Sequence, residues 1–106
     1  MSKYHAIPTV VGGIRFDSKA EARRWGELLL LQKSKQIREL ERQTKFVIIP
    51  KSIYGRELCY YDDFTYFDVR KRTWVYEDVK GVKTPVYKLK KRLVAERYGI
   101  VITEIS

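Results

Sequence analysis

The stretch from Leu58 to Val79 constrains the fold more than any other. Aromatic and β-branched residues run from Leu58 to Phe67 and again from Thr73 to Val79, separated by the polar segment Asp68 to Arg72. Two such runs across a short charged break read as a β-hairpin. With the turn centred on Arg70 and Lys71, Phe67 faces Trp74, Thr65 faces Tyr76 and Asp63 faces Asp78. Opposed residues share a face of the sheet, and side chains alternate along a strand. Asp63, Asp78 and Lys80 therefore fall on one face, and Asp62 and Glu77 on the other. A slip of one residue pairs Asp62 with Asp78 instead.

Opposed carboxylates repel each other and destabilise a hairpin unless a positive charge lies between them. Hard oxygen donors on a sheet suit Mg²⁺, which takes one or two protein carboxylates and leaves its other positions to water and phosphate. Lys80 is spaced to contact a phosphate or a water there. A blander reading makes the same residues a solvated acidic pair neutralised by nearby lysines, because structural ion-pair networks look alike.

A chain of 106 residues, 44% hydrophobic, supports one folded domain over 1–106 rather than two. Its net charge of +9 favours a polyanionic partner, most simply nucleic acid. Cys59 and His5 are the single cysteine and histidine, which excludes an internal disulfide, cysteine-rich zinc sites and histidine-based triads. The longest purely aliphatic run is Leu28 to Leu31, and no signal peptide is visible. A soluble, cytoplasmic protein with no membrane association and no small-molecule cofactor is expected.

Met1 to Val11 reads as a loosely attached arm in which Lys3, Tyr4 and His5 are free to touch a partner. Gly12-Gly13 marks a turn, and Ile14 to Phe16 a short extended piece. Ser18-Lys19-Ala20-Glu21 fits a capping box that opens a helix, predicted to reach about Gln36 and to fray toward Leu40. Trp25, Leu28, Leu29 and Gln32 form one side of it, with Glu21 in line, while Arg23, Arg24 and Glu27 point away. Glu21 is then a cap alone or also a third carboxylate reaching over the sheet, since one carboxylate has two oxygens. Gly26 in this helix costs about 1 kcal/mol relative to Ala. Ile37 to Gln43 reads as a charged lead-in to a strand, Lys45 to Ile49, whose apolar run predicts burial on both faces. Gln43 either reaches the site or caps a turn. Pro50 ends the strand, and Lys51 to Gly55 is a turn.

Beyond Gly81, Thr84 as N-cap and Pro85 at N1 open a second helix that runs to Tyr98, with Gly99 at C′. Val86, Leu89 and Leu93 form one apolar stripe, and Tyr87, Val94 and Tyr98 another. Lys88, Lys91 and Arg92 share a basic face, either merely solvated or laid along a phosphate backbone. Ile100 to Ile105 is a last strand. The predicted order is αβββαβ, an α/β chain with a mixed sheet flanked by helices.

This layout resembles the core of the PD-(D/E)XK nuclease superfamily. Asp63 before Phe64 resembles its first acid, and Asp78-Val79-Lys80 its acid-x-lysine motif. Glu21 is similar to the helix carboxylate of many members. Asp62 stands where the superfamily's name places proline, and Asp78 where Glu is more frequent. GGIRFDSKAEARR, the Gln43 region, DDFTYFD and VYEDVKGVKTPVYKLKKRL together resemble a small phage-associated family placed in that superfamily. The resemblance implies a Mg²⁺-dependent DNA endonuclease, with Mn²⁺ able to substitute. Asp63, Asp78, Glu21 and the backbone carbonyl of Val79 would be the metal ligands, and Lys80 the catalytic amine. Lys83, Lys88, Lys91 and Arg92 would hold DNA. One site per subunit implies a homodimer for cutting two strands. A DNA-binding adaptor without catalysis, built on the same scaffold, is the alternative.

Overall fold

The computed structural model describes residues 7–106. Its elements are β1 (Thr9–Val11), β2 (Ile14–Phe16), α1 (Lys19–Lys33), β3 (Ile37–Arg42), β4 (Lys45–Ile49), β5 (Leu58–Tyr61), β6 (Phe64–Asp68), β7 (Thr73–Val79), α2 (Pro85–Tyr98) and β8 (Ile102–Ile105). A four-stranded mixed sheet, ordered β3-β6-β7-β8, forms the centre. It is antiparallel except for the parallel pair β7–β8. The helices cover its two faces. Phe64, Tyr66 and Val79 pack toward α1, with Phe16, Ala22, Leu28 and Ile37. The opposite face packs toward α2, where Ile102 and the partly buried Tyr76 join Tyr87, Val94 and the separate β4–β5 hairpin. Phe16, Leu28, Phe64 and Val94 are fully buried, each stabilising the fold by about 1.5–3 kcal/mol.

The mixed α/β class and the flanking helices agree with expectation, as does the β6–β7 register from Phe64 to Asp68; the expected Asp63–Asp78 pair is not part of the ladder, which ends at Phe64. Phe67 pairs with Trp74, Thr65 with Tyr76 and Phe64 with Glu77. Asp68 shapes the turn by accepting the Lys71 peptide N–H at 3.0 Å. The caps also fall where the sequence puts them. Ser18 Oγ accepts the Glu21 N–H, Thr84 Oγ1 accepts the Tyr87 N–H, and Gly99 adopts φ 68° at the end of α2.

Several elements differ. The first hairpin arm is not one strand: it breaks at Asp62-Asp63 into β5, which pairs with β4, and β6, which joins the central sheet. Helix α1 stops at Lys33, not Gln36. The N–H groups of Lys35 and Gln36 bond back to the Gln32 and Leu31 carbonyls at 3.0 and 2.9 Å, and Lys35 takes φ 64°. This is a Schellman stop, with lysine in the left-handed position usually given to glycine.

The supposed lead-in, residues 37–42, is the edge strand β3. Its register against β6 shifts between Arg38 and Glu41, and Glu39 sits at φ 56°. That bulge turns both Ile37 and Leu40 toward the core, a three-residue spacing that an unbroken strand would place on opposite faces. The αβββαβ order thus holds for the central sheet with β3, not residues 45–49, as its first strand. β4 is buried on one face only: Phe46 and Ile48 are inside, whereas Ile49 is exposed. Thr9 to Val11 belong to a hairpin closed by Gly12 and Gly13, both at positive φ, and not to a loose arm. The contacts expected of Lys3, Tyr4 and His5 lie outside the described residues. On α2 the buried positions are Tyr87 and Val94, while Val86, Leu89 and Tyr98 are exposed.

Arg24 does not point to solvent. Its Nε and Nη2 grip Glu77 Oε1 and Oε2 at 2.8 and 2.7 Å, and the Tyr66 hydroxyl donates to the same carboxylate. The bond to Glu77, more than any other influence, raises the Arg24 pKa above its usual value. This fork ties α1 to β7 across the buried face. Arg24→Met leaves the Glu77 charge buried without its cation and is expected to destabilise the protein by about 3 kcal/mol in urea unfolding. Arg24→Met combined with Glu77→Gln removes the charge as well and should recover most of that loss; no recovery would mean that the packing of Arg24, not its charge, holds the helix.

Candidate functional site

The break at Asp62-Asp63 is a built corner. Asp62 is buried; its peptide N–H donates to the Thr44 carbonyl at 3.2 Å, and its Oδ1 accepts the Thr44 N–H at 2.9 Å. Its other oxygen accepts the Thr65 hydroxyl. Asp62 therefore lies with Thr65 on the α2 side, and Glu77 lies on the α1 side. The expectation that they share a face fails because the corner rotates Asp62 out of the alternation. Gln43 contributes through its backbone: at φ 55° its N–H donates to the Asp63 carbonyl at 3.2 Å, and its side chain is exposed.

The corner aims Asp63 into the end of the sheet. Its N–H donates to the Glu77 carbonyl at 2.9 Å, and its Oδ2 accepts the Val79 N–H at 2.7 Å. In that position its carboxyl contacts those of Asp78 and Glu21. All three are buried, with relative exposures of 8%, 1% and 1%. Glu21 both belongs to the α1 cap, where its Oε1 accepts the Asp17 N–H at 3.0 Å, and reaches Asp63. The cap thus leaves Glu21 in contact with Asp63. The Tyr60 hydroxyl donates to Asp78, and Lys80 Nζ stands 3.6 Å from the Asp78 Oδ1. Successive peptide groups of β7 point to alternate edges, and the Lys80 N–H bonds the Ile105 carbonyl on β8. The Val79 carbonyl therefore shares the β6-side edge with its own N–H, next to Asp63.

Burial, then the neighbouring Asp78, pushes the Asp63 pKa up to about 6. Burial also raises Asp62 to about 6, against the opposing hydrogen bonds from Thr65 and Thr44. Burial and Asp78 hold Tyr60 far above its ordinary value, so it stays a neutral donor.

Beside this cluster lies a feature the sequence did not flag. Glu104 on β8 is the parallel partner of Asp78. It accepts the Tyr87 hydroxyl at 2.8 Å and pairs with Lys83 and Lys91, each at 3.1 Å. The Tyr87 bond, then the one from Lys83, lowers its pKa to about 2. Lys80 Nζ sits 4.5 Å from the centroid of the Tyr87 ring, a cation–π contact. Lys83 and Lys91 are thus drawn to the site rim through Glu104. Lys88 and Arg92 are exposed and, with Lys91, line a groove of about 200 Å³ against Val101 and Ile102. Glu104 lies 26 residues from Asp78 in the chain and is brought beside it by the parallel β7–β8 pairing, while Tyr87 reaches Glu104 from α2.

The donor chemistry of Glu21, Asp63 and Asp78, all hard carboxylate oxygens, is of the type a Mg²⁺ ion takes. As they stand, the three are joined through hydrogen-bonding contacts. Among the described residues no group of three or more His, Cys, Asp or Glu side chains is spaced to hold a metal ion.

The molecule is thus a mixed α/β domain with a buried carboxylate cluster at one end of its central sheet and lysines on the rim. The chain belongs to the family described as "Protein of unknown function (DUF1064)", whose model matches residues 1–105. Neither curated proteins nor solved structures gave a match.

The raised acids have a testable consequence. The ordinary value of both is 3.8 and the folded value about 6, so between these pH values the folded chain holds more protons than the unfolded one. Metal-free stability should therefore fall as pH rises from about 4 to about 6, by at most about 3 kcal/mol per group. Asp63→Asn removes its share and should raise the melting temperature at pH 7 but not at pH 4. An equal effect at both pH values would contradict burial of an ionisable Asp63.

Proposed function

We propose that this protein is a Mg²⁺-dependent DNA endonuclease, with Mn²⁺ able to substitute, acting on branched or otherwise structured DNA as a homodimer in phage replication or recombination. The reading rests chiefly on the convergence of Glu21, Asp63 and Asp78 with the Lys80 ammonium at one end of the sheet. The resemblance of Asp63 and Asp78-Val79-Lys80 to the PD-(D/E)XK motifs and the net charge of +9 support it.

In this reading Glu21, Asp63, Asp78 and the Val79 carbonyl would hold the ion, which when bound would supply Lewis acidity for water activation and positive charge toward the phosphate. Tyr60 orients Asp78 by donating to it. Lys80, held against the Tyr87 ring and Asp78, orients the attacking water or contacts the scissile phosphate. Lys83 and Lys91 at Glu104, with Lys88 and Arg92 on the open side of α2, position the backbone without reading bases.

One observation favours a second reading, a DNA-binding adaptor without catalysis. The oxygens of Asp63 and Asp78 already accept hydrogen bonds from Val79 and Tyr60. Cleavage of linear, nicked, flap and four-way DNA, with Mg²⁺ or Mn²⁺ and with chelator, separates the two. Wild type should cut at least one substrate only with metal, and Asp78→Ala should cut at least about 100-fold more slowly while binding as tightly. Salt-sensitive binding without cutting would establish the adaptor. Equal cutting by both proteins would place the chemistry elsewhere.

A further inference from the structure

The β4–β5 hairpin ends in a tip that folding does not explain. Ser52 and Gly55 close it by exchanging backbone hydrogen bonds at 3.1 and 3.3 Å, and the Tyr54 N–H donates to Ser52 Oγ at 3.1 Å. Between them Ile53 and Tyr54 are each 92% exposed, the most open large apolar side chains among the described residues. Turn tips ordinarily carry Gly, Asn, Asp or Ser. Single exposed apolar residues are unremarkable, but an adjacent aliphatic–aromatic pair at the apex of a closed turn is a presented surface. Lys51 and Arg56 flank it and are exposed. The adjoining acid, Glu57, is taken up by Lys45 at 2.6 Å, so the loop's two cations remain uncompensated.

An aromatic ring between two free cations matches the chemistry of a nucleic-acid strand, which offers base faces for stacking and phosphates on either side. The same hairpin leads to the carboxylate cluster: β5 carries Tyr60, which donates to Asp78, and runs into the Asp62-Asp63 corner. The nine residues from Tyr54 to Asp63 span at most about 30 Å of extended chain. One strand can therefore reach both places.

We propose that the 50–57 loop is a second nucleic-acid contact, in which Tyr54 stacks on an unpaired or unstacked base, Ile53 wedges beside it, and Lys51 and Arg56 hold the flanking phosphates. This rests on the reading of the protein as acting on DNA and adds to it a preference for substrates with unpaired bases. The α2 groove holds backbone; the tip distinguishes open DNA from closed duplex.

The test measures binding in chelator, so that no cutting intervenes, to a plain duplex and to the same duplex with a central bubble containing 2-aminopurine. Wild type should bind the bubble more tightly and change the 2-aminopurine fluorescence. Tyr54→Ala should weaken bubble binding by roughly tenfold, abolish the fluorescence change and leave duplex binding intact, whereas Tyr54→Phe should behave as wild type. Tyr54→Ala binding both DNAs as wild type does, or losing both equally, would overturn the proposal while leaving the nuclease reading standing. Failure of wild type to bind any DNA would overturn both. A third arm uses vesicles of anionic phospholipid: Tyr54-dependent binding there, without Tyr54-dependent binding to the bubble, would assign the tip to a membrane surface and reject a nucleic-acid role.

Discussion

The 2.7 Å bond from the Val79 N–H to the Asp63 carboxylate is the contact on which the arrangement turns. Asp63 is no longer part of a strand. It occupies the corner at which the chain leaves the β4–β5 hairpin and enters the central sheet. There its backbone bonds β7 through the Glu77 carbonyl, and its side chain bonds the next outward-facing peptide of the same strand. An acid so held cannot withdraw from Asp78 on the same strand, and it meets Glu21 from the start of α1. Folding thus brings three carboxylates together and keeps them from water, at a cost visible in the raised pKa of Asp63.

The two faces of β7 handle acids in opposite ways. Glu77 faces α1 and is fully matched by the Arg24 fork and the Tyr66 hydroxyl. Asp78 faces α2 and has a tyrosine donor and one lysine at 3.6 Å, with Asp63 beside it. Adjacent residues of the Glu77-Asp78 doublet therefore have different surroundings, the first a clamp between helix and sheet, the second a member of the carboxylate cluster. Glu104 extends the contrast, pairing with Lys83 and Lys91 at the rim beside Asp78.

Much of this was legible in the sequence because the relevant signals are local. The β6–β7 turn sets the register that brings Asp63 to the Asp78 end of β7. The Ser18 and Thr84 caps fix both helix starts, and Gly99 fixes one helix end. The misses share a different cause. Lys35 in a left-handed conformation ends α1 without the glycine that would announce it. The Glu39 bulge gives β3 a helix-like spacing of Ile37 and Leu40. The Asp62-Asp63 corner lies inside a continuous apolar run and depends on Thr44, distant in the chain. Arg24 finds its partner 53 residues away, and Glu104 reaches the site only through the parallel pairing of β8 with β7, so no periodicity within one element encodes them.

On the proposal that Glu21, Asp63 and Asp78 hold a divalent cation, titration with Mn²⁺ followed by electron paramagnetic resonance is decisive. Wild type should show saturable loss of the free Mn²⁺ signal and competition by Mg²⁺, with no saturable binding once Asp63→Asn and Asp78→Asn are combined. Wild-type protein that leaves the free Mn²⁺ signal unchanged, or a double variant that binds as wild type does, would contradict it.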